Sequence, residues 1–226
     1  MSSPRFLLHT FYRSSCSARL RIALNLKSIP YDCEYVALDK YEQHTPTHRK
    51  LNPSGSVPVL TILMPDLIGV NFSIPQSVAA LEYLEETYTD YPLLPTGYRP
   101  WERAQVRTLV NIIACDVQPV TNRRTNKAVE ALNGSLQDWC NHFTACGLEA
   151  YEEMVSKTAG KFSVGDQITL ADVCLIPAVW NAEMYEVDLE MFPRVIDIYA
   201  RLSELDAVKK AHWRVQPDTP KDGALV

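Results

Sequence analysis

Short runs rich in β-branched and aromatic residues alternate with helical patterns over residues 1–90. After Ser15, apolar residues recur at helical spacing, so that Ala18, Ile22 and Leu26 share one face. Elsewhere in this region the apolar runs are short and bounded by turn residues, which is typical of strands. The whole pattern indicates a βαβ unit followed by a hairpin and a closing helix. The predicted strands are 6–12, 31–38, 59–64 and 70–74, and the predicted helices are 15–26 and 76–88.

A Pro- and Gly-rich stretch, 91–98, separates this pattern from the rest of the chain. Beyond it the apolar spacing is helical, and no further strand is indicated. Thr169 and Asp172 have the spacing of a capping box at a helix start, which is a folding signal. We therefore expect a first domain over 1–90, a linker over 91–98 and an all-helical domain over 99–226.

The composition is that of an ordinary soluble protein, with 46% hydrophobic and 22% charged residues among 226. Its net charge of -5 argues against a general nucleic-acid binder, which would display a basic face. No segment approaches the roughly 18 apolar residues of a membrane span, and the N-terminus lacks the apolar core of a signal peptide. These features predict a cytoplasmic protein that binds small molecules, with neither a membrane nor a nucleic acid as partner.

Cysteines and histidines give no sign of a metal site. The six cysteines include no C-x-x-C pair, and we expect most of them to be small buried hydrophobes. His44 and His48 have metal-ligand spacing, but Pro46 lies between them and a solvated loop is expected. The predicted metal content is therefore none.

Arg19 and Arg21 are expected on the solvated surface of the first helix.

Ser14, Ser15 and Cys16 lie where the first predicted strand gives way to the first helix. Serine is a preferred helix cap, so the simplest interpretation is an N-cap with polar neighbours. The free amides of a helix's first turn also stabilise an anion, and such a site lowers a thiol pKa from its usual value of roughly 8.5. The thiol is either Cys16 itself or an external thiol such as glutathione. Local sequence does not choose between them.

Three further features fit an extended anionic ligand. Gln76 and Ser77 open another predicted helix and offer donors to an anionic group. Pro58 cannot donate a ladder hydrogen bond, and a cis Val57-Pro58 bond would present the Val57 backbone to a peptide. The first two features, together with the helix start at Ser14, predict a tripeptide site. Arg13 directly precedes the serines and can bind a carboxylated substrate.

Five segments resemble the zeta-class glutathione transferases, the maleylacetoacetate isomerases. The segments are FYRSSCSARLRIALNLKSIPY, LNPSGSVPVL, IPQSVAALEYLEE, VGDQITLADVCLIPAVWNAE and QPDTP. The resemblance covers nearly the whole chain. It implies an α/β thioredoxin-like N-terminal domain (β-α-β-α-β-β-α) plus an all-α C-terminal helical domain, the cytosolic glutathione transferase fold. It also implies bound glutathione and assembly as a homodimer.

The reaction implied by the resemblance is glutathione-dependent cis-trans isomerisation of maleylacetoacetate to fumarylacetoacetate in tyrosine and phenylalanine breakdown. Transferase activity toward small α-halo acids would use the same thiol. Two alternatives stay open: a thiol transferase based on Cys16, and a non-catalytic glutathione-binding or dimerisation module. Met184 stands where relatives commonly carry an arginine expected to hold a substrate carboxylate.

The resemblance also assigns site residues. Ser14 or Ser15 would donate a hydrogen bond to the glutathione sulfur, with Cys16 adjacent. The other assigned residues would contact the remainder of glutathione or the substrate: Gln43 the glycyl end, Val57 with Pro58 the peptide backbone, Gln76 and Ser77 the γ-glutamyl group, Gln118 and Asn122 the site wall, and Arg13 and Arg124 the substrate.

Overall fold

The structure is a computed structural model that describes residues 5–64 and 71–221. These residues form two compact units, one within Met1–Tyr91 and Asp206–Val226 and the other within Pro92–Leu205. The domain expectation placed 206–226 with the helical domain. In the structure, the described part of that segment groups with the first unit instead.

The described residues of the first unit form four strands, three helices and a 3-10 turn, and a further segment rejoins this unit after the second one. In order they are β1 (Arg5–Thr10), α1 (Ser15–Leu26), β2 (Tyr31–Tyr35), a 3-10 turn (Glu42–His44), α2 (Pro46–Leu51), β3 (Val59–Leu63), β4 (Asn71–Pro75) and α3 (Ser77–Thr87). The returning segment contains α9 (Asp206–Ala211) and a 3-10 turn (Trp213–Val215).

The second unit is helical throughout its described elements. They are α4 (Pro100–Asn111), a π-helical segment (Ile112–Val117), α5 (Arg123–Ala131), α6 (Leu136–Thr158), α7 (Leu170–Met184), a 3-10 turn (Leu189–Met191) and α8 (Pro193–Ser203). No helix within 5–64 or 71–221 is long and apolar enough to cross a membrane.

The four strands form one sheet in the order β2-β1-β3-β4. β1 pairs with β2 in parallel, whereas β1 with β3 and β3 with β4 are antiparallel. The sheet confirms the thioredoxin-like first domain, and the helices of the second unit confirm the all-helical second domain. The expected strand 6–12 ends earlier, at Thr10, because the chain turns there toward α1. Val70, where the fourth strand was expected to begin, lies outside the described residues.

The core of the first unit lies between the sheet and two helices. α1 and α3 pack against each other. Their buried faces carry large aliphatic side chains such as Leu20, Leu24 and Leu84, and strand side chains such as Leu8 and Ile62 are buried as well. Each such side chain contributes about 1.5–3 kcal/mol when it leaves water. The amphipathic pattern therefore predicted these two helices correctly.

α2 contains His48 and contradicts the solvated loop that was expected there. Apolar periodicity alone did not indicate this helix. Pro46 starts the helix, because proline fits the first helical position where its missing N–H would have no partner. His48 is buried, and its Nε2 lies 2.9 Å from the Ser56 carbonyl oxygen. Only His44 is exposed as expected.

Arg19 and Arg21 are buried, so the prediction of a solvated surface was wrong. α9 packs on α1 and covers this face, and the Ala211 carbonyl accepts from Arg21 Nε at 3.1 Å. Arg21 also donates to Thr10 Oγ1 at 3.0 Å. Desolvation lowers the pKa of Arg21 to about 10, which leaves it cationic at neutral pH. Such burial is tolerated because a guanidinium has five donors and acceptors converge on it.

The cysteines differ from the expectation that most are buried. Cys140 and Cys174 are buried, whereas Cys115 and Cys146 are exposed and the other two are half-buried. Among residues 5–64 and 71–221, no cluster of three His, Cys, Asp or Glu side chains could hold a metal ion.

A buried carboxylate organises the start of α7, where the predicted capping box is present. Asp172 Oδ2 accepts from the Thr169 amide at 2.7 Å and from the Thr169 hydroxyl at 2.9 Å. Its Oδ1 accepts from the Ser163 amide at 2.9 Å. Burial raises the pKa of Asp172. The three donors compensate for that desolvation and connect the helix to the preceding loop.

We expect Asp172→Ala to lower the free energy of unfolding by about 2–4 kcal/mol, because it leaves three buried donors without their acceptor. Asp188→Ala is a matched control, since Asp188 caps an exposed turn through the Glu190 amide alone. It should cost about 1 kcal/mol or less. Chemical denaturation of both variants measures the difference, and equal losses would contradict the assignment.

Candidate functional site

Ser14 caps the start of α1, which begins at Ser15 as predicted. Its Oγ accepts from the Ser17 amide at 3.1 Å, and its own amide donates to the Phe11 carbonyl at 3.0 Å. The amides of Ser15 and Cys16 have no hydrogen-bond partner within residues 5–64 and 71–221. The start of α1 therefore offers free amide donors beside three half-buried side chains.

This arrangement can stabilise a thiolate. Because a lone pair of Ser14 Oγ already accepts from an amide, the hydroxyl proton is available for donation. The α1 dipole adds partial positive charge at the same end of this 12-residue helix. Cys16 lies in the first turn and is half-buried. An anionic sulfur near Ser14 would meet a hydroxyl and unpaired amides together.

The loop before β3 contains a cis Val57-Pro58 peptide bond. Asn52 Nδ2 donates to the Ser56 carbonyl at 2.8 Å, and the His48 ring lies against the same oxygen, so the loop is held from behind. Within the described ranges, the Val57 amide and carbonyl form no hydrogen bond. Val57 thus presents a free donor and a free acceptor of the kind that pairs with an extended peptide.

Gln43 is buried in the 3-10 turn that precedes α2. Its Oε1 has no hydrogen-bond partner among the residues that the structure describes. Gly55 packs against this turn at φ +59°, and a Cβ there would lie 2.7 Å from His44 Nδ1. Close approach and positive φ both require glycine at that position. The Gln43 Oε1 is therefore an unsatisfied acceptor that a ligand donor can complete.

The start of α3 carries backbone strain. Gln76 is the N-cap residue with φ 76° and ψ 117°, and its exposed side chain makes no cap hydrogen bond. A non-glycine residue in such a region costs about 1–3 kcal/mol, and such residues cluster at functional sites. Ser77 follows, is buried, and accepts from Arg19 Nη1 at 3.1 Å.

Three contacts bring these segments together inside the first unit, the first being the packing of Gly55, in the loop before β3, against the turn of Gln43. Phe11, Tyr12, Val36 and Val57 form one buried cluster, which joins the loop before Ser14 to the Val57 loop. The hydrogen bond from Arg19 to Ser77 joins α1 to the start of α3. The predicted residues that therefore lie on adjoining segments are Ser14, Ser15, Cys16, Gln43, Val57, Pro58, Gln76 and Ser77, with Arg13 half-buried in the same loop as Ser14.

The other predicted residues lie in the second unit. Gln118 directly follows the π-helical segment, and its amide donates to the Ile113 carbonyl at 3.0 Å. Asn122 is the N-cap of α5, where its Oδ1 accepts from the amides of Arg124 at 2.9 Å and Thr125 at 3.1 Å. This capping role was not predicted. The participation of Gln118, Asn122 and Arg124 in the site stays a prediction.

Sequence reasoning missed two charged side chains that bind the backbone of the loop before Ser14. Arg21 donates to the Tyr12 carbonyl at 3.0 Å, and Asp218 accepts from the Tyr12 amide at 2.7 Å. No periodicity could have found Asp218, because it is 206 residues away along the chain. Arg21 occupies a helical face whose cover, α9, comes from the other end of the chain.

Two family models match this chain. The model described as glutathione S-transferase, N-terminal domain, matches residues 13–87, and the model described as glutathione S-transferase, C-terminal domain, matches 124–211. Among curated proteins, the maleylacetoacetate isomerase maiA of Aspergillus fumigatus is 53% identical, over 98% of this chain and 96% of its own.

Solved structures agree with these matches. A maleylacetoacetate isomerase from Anaeromyxobacter dehalogenans, with bound dicarboxyethyl glutathione and citrate in its active site, is 34% identical. Its TM-score is 0.87, with 98% of this chain and 96% of that one covered. A bacterial maleyl pyruvate isomerase, described as a zeta-class glutathione S-transferase, is 36% identical. Its TM-score is 0.85, with coverage of 95% and 100%.

We expect Gln76→Gly to raise the free energy of unfolding by about 1 kcal/mol, because glycine relieves the strained backbone at this position. Gln76→Ala is the matched control: it removes the same side chain but keeps the Cβ and therefore the strain. Thermal and chemical unfolding of the two variants measure the difference. A glycine variant no more stable than the alanine variant would show that the backbone there is unstrained.

Proposed function

The chain belongs to the glutathione S-transferase family, in the zeta class of maleylacetoacetate isomerases, and we propose that it isomerises maleylacetoacetate to fumarylacetoacetate with glutathione as cofactor. The observation that carries the proposal is the start of α1, where Ser14 presents a hydroxyl beside the free amides of Ser15 and Cys16. Similarity to isomerases along 98% of the chain supports the same assignment.

The residues of the first unit fit glutathione as a peptide with two charged ends. Val57 has a free amide and carbonyl for its backbone. Ser77 and Gln76, at the strained start of α3, would hold the γ-glutamyl carboxylate and amine. Gln43 would bind the glycyl end, where the glycyl N–H would donate to its unpartnered Oε1. Ser14 would then meet the sulfur.

Bound glutathione supplies a thiol that adds reversibly to an activated double bond, so that the former double bond can rotate before the thiol is released. The chain's part is to favour the thiolate and to hold it. The Ser14 hydroxyl donates to the sulfur, and the dipole of α1 adds to the stabilisation. Two units of thiol pKa lowering correspond to roughly 2.7 kcal/mol, which a helix N-terminus with a hydroxyl donor can supply.

The proposed substrates are small acids with an electrophilic carbon. Arg13 and Arg124 are the proposed partners of substrate carboxylates, and Gln118 with Asn122 would line the site. Met184, the last residue of α7, offers no charge at a position where relatives commonly have arginine. Displacement of halide from small α-halo acids would use the same thiolate. The isomerisation itself would serve the breakdown of tyrosine and phenylalanine.

Replacing both serines, as Ser14→Ala with Ser15→Ala, should lower kcat/KM for glutathione-dependent isomerisation of maleylacetone by about 100- to 1000-fold, the usual effect of losing a preorganised donor. The pH at which activity reaches half its maximum should rise, because the thiolate is less stabilised. Steady-state kinetics across pH measures both. Full activity in the double variant would overturn the role of the serines.

Two controls separate this role from others. Ser135→Ala removes a comparable helix cap, at the start of α6, where Ser135 Oγ accepts from the Asp138 amide at 3.2 Å. It should cost stability without changing isomerisation. Cys16→Ala should also retain isomerisation. In the thiol-transferase alternative Cys16 is the nucleophile, so thiol transfer to glutathione that vanishes in this variant, without isomerisation in the wild type, would favour that alternative. Glutathione binding without turnover of any activated alkene or halo acid would instead favour a non-catalytic module.

We further propose a cytoplasmic homodimer. Tyr98 and Trp101 are 96% and 75% exposed, and aromatic side chains are enriched in interfaces. Light scattering should give twice the mass of one chain, and Trp101→Asp should shift the protein toward monomer. Leu132→Asp, at another exposed apolar side chain of the same unit, should not. A wild-type protein with the mass of one chain would rule out the dimer.

A further inference from the structure

The loop 11–14, here the serine loop, connects β1 to α1 without regular structure. Its position is set by charged side chains that bind the backbone of Tyr12. The Tyr12 carbonyl accepts from Arg21 Nη2 at 3.0 Å, and the Tyr12 amide donates to Asp218 Oδ2 at 2.7 Å. Both polar backbone groups of this residue, two positions before Ser14, are therefore bound by side chains of opposite charge.

The two anchors come from different parts of the chain. Arg21 belongs to α1, the same helix that Ser14 caps, so it moves with that helix. Asp218 belongs to the segment that follows α9. Arg21 Nε also donates to the Ala211 carbonyl at 3.1 Å, which links α1 to the helix from which this segment departs.

The segment that carries Asp218 is itself ordered by its own contacts. Gln216 Nε2 donates to the carbonyls of Lys210 and His212, both at 2.9 Å. The Thr219 amide donates to the Gln216 carbonyl at 3.0 Å. Trp213 packs against the cluster that contains Tyr12. These contacts hold the segment without any need for a carboxylate at position 218.

A carboxylate at 218 is energetically unfavourable unless it has a specific task. Asp218 is half-buried, its Oδ1 has no partner among the described residues, and burial raises its pKa. Its ionisable neighbours are Arg21, Cys33 and Tyr35. A charged-acceptor bond is about twice as strong as a neutral one, which suits the fixing of a loop amide.

We propose that Asp218 is a positioning residue, which holds the serine loop through the Tyr12 amide and thereby sets where Ser14 meets the thiol. The inference rests on the proposed function, because it gives Ser14 a chemical task. Asp218 touches neither glutathione nor substrate in this role. Its effect comes through the loop, since a displacement of about 1 Å in a catalytic group can cost up to about 100-fold in rate.

Asp218→Ala should lower kcat for glutathione-dependent isomerisation by about tenfold or more, with KM for glutathione changed by less than about threefold. The pH of half-maximal activity should rise, because a displaced Ser14 stabilises the thiolate less. Asp218→Asn keeps an acceptor oxygen for the Tyr12 amide and should recover kcat to within about threefold of wild type. Activity of a folded Asp218→Ala protein equal to wild type would overturn the proposal, and so would equal impairment of both variants.

Asp218→Glu covers the case in which the alanine variant does not fold. It keeps the charge and adds one methylene, so it should fold but lower kcat by shifting the loop, and an unchanged kcat would also overturn the proposal. Gln216→Ala is the matched control. It removes two hydrogen bonds of the same segment but none to the serine loop, and should leave the pH profile unchanged.

Failure of the proposed function has a different signature. A wild-type protein without isomerase activity would refute that function. The positioning role of Asp218 would still be tested by measuring the ionisation of bound glutathione. Ultraviolet titration of the bound thiol should then give a higher thiol pKa in Asp218→Ala than in wild type or Asp218→Asn. Equal thiol pKa values in all three proteins would overturn the positioning role.

Discussion

The buried guanidinium of Arg21 is the interaction on which the candidate site depends. It binds the end of β1 through Thr10, the serine loop through Tyr12, and the end of α9 through Ala211. A single side chain thus determines how three segments from opposite ends of the chain meet at the start of α1. Burying this cation is costly, as its lowered pKa of about 10 indicates, and only the convergence of acceptors makes it stable. The geometry around Ser14 is therefore preorganised before any ligand binds.

Asp172 and the candidate site differ in how far their polar groups are satisfied. In the second unit, Asp172 has three donors around its carboxylate and serves the fold. In the first unit, the amides of Ser15 and Cys16 and the Oε1 of Gln43 have no such partners among the described residues. Unpaired polar groups are expensive in an interior, so their grouping on adjoining segments indicates a ligand that pairs with them. The γ-glutamyl contact proposed for Gln76 would give the strain at that residue the same explanation.

Local signals predicted the first domain well. Helical spacing after Ser15 found α1 with its correct start, and turn residues located the two loops that carry Val57 and Gln76. The errors at Arg19, Arg21 and His48 concern residues whose surroundings come from elsewhere. Arg19 and Arg21 were expected in solvent, and His48 in a loop, because the elements that cover them are distant in sequence or weakly patterned. Asn122 is a residue type preferred at helix starts, but no clear apolar periodicity after it identified α5 as a helix.

By itself, the sequence determined the fold class and the family, and it predicted residues for a peptide-thiol site, because these follow from periodicity, helix-start chemistry and motifs that are local. Tertiary structure decided which polar groups stay free and which are bound. The free energy of a polar side chain depends on its neighbours after folding, and for Arg21 and Asp218 those neighbours lie at the far end of the chain. Ser14 shows the difference. Its residue type and its place at a helix start could be predicted locally, whereas its position in space depends on the charged side chains of Arg21 and Asp218, which only folding brings together.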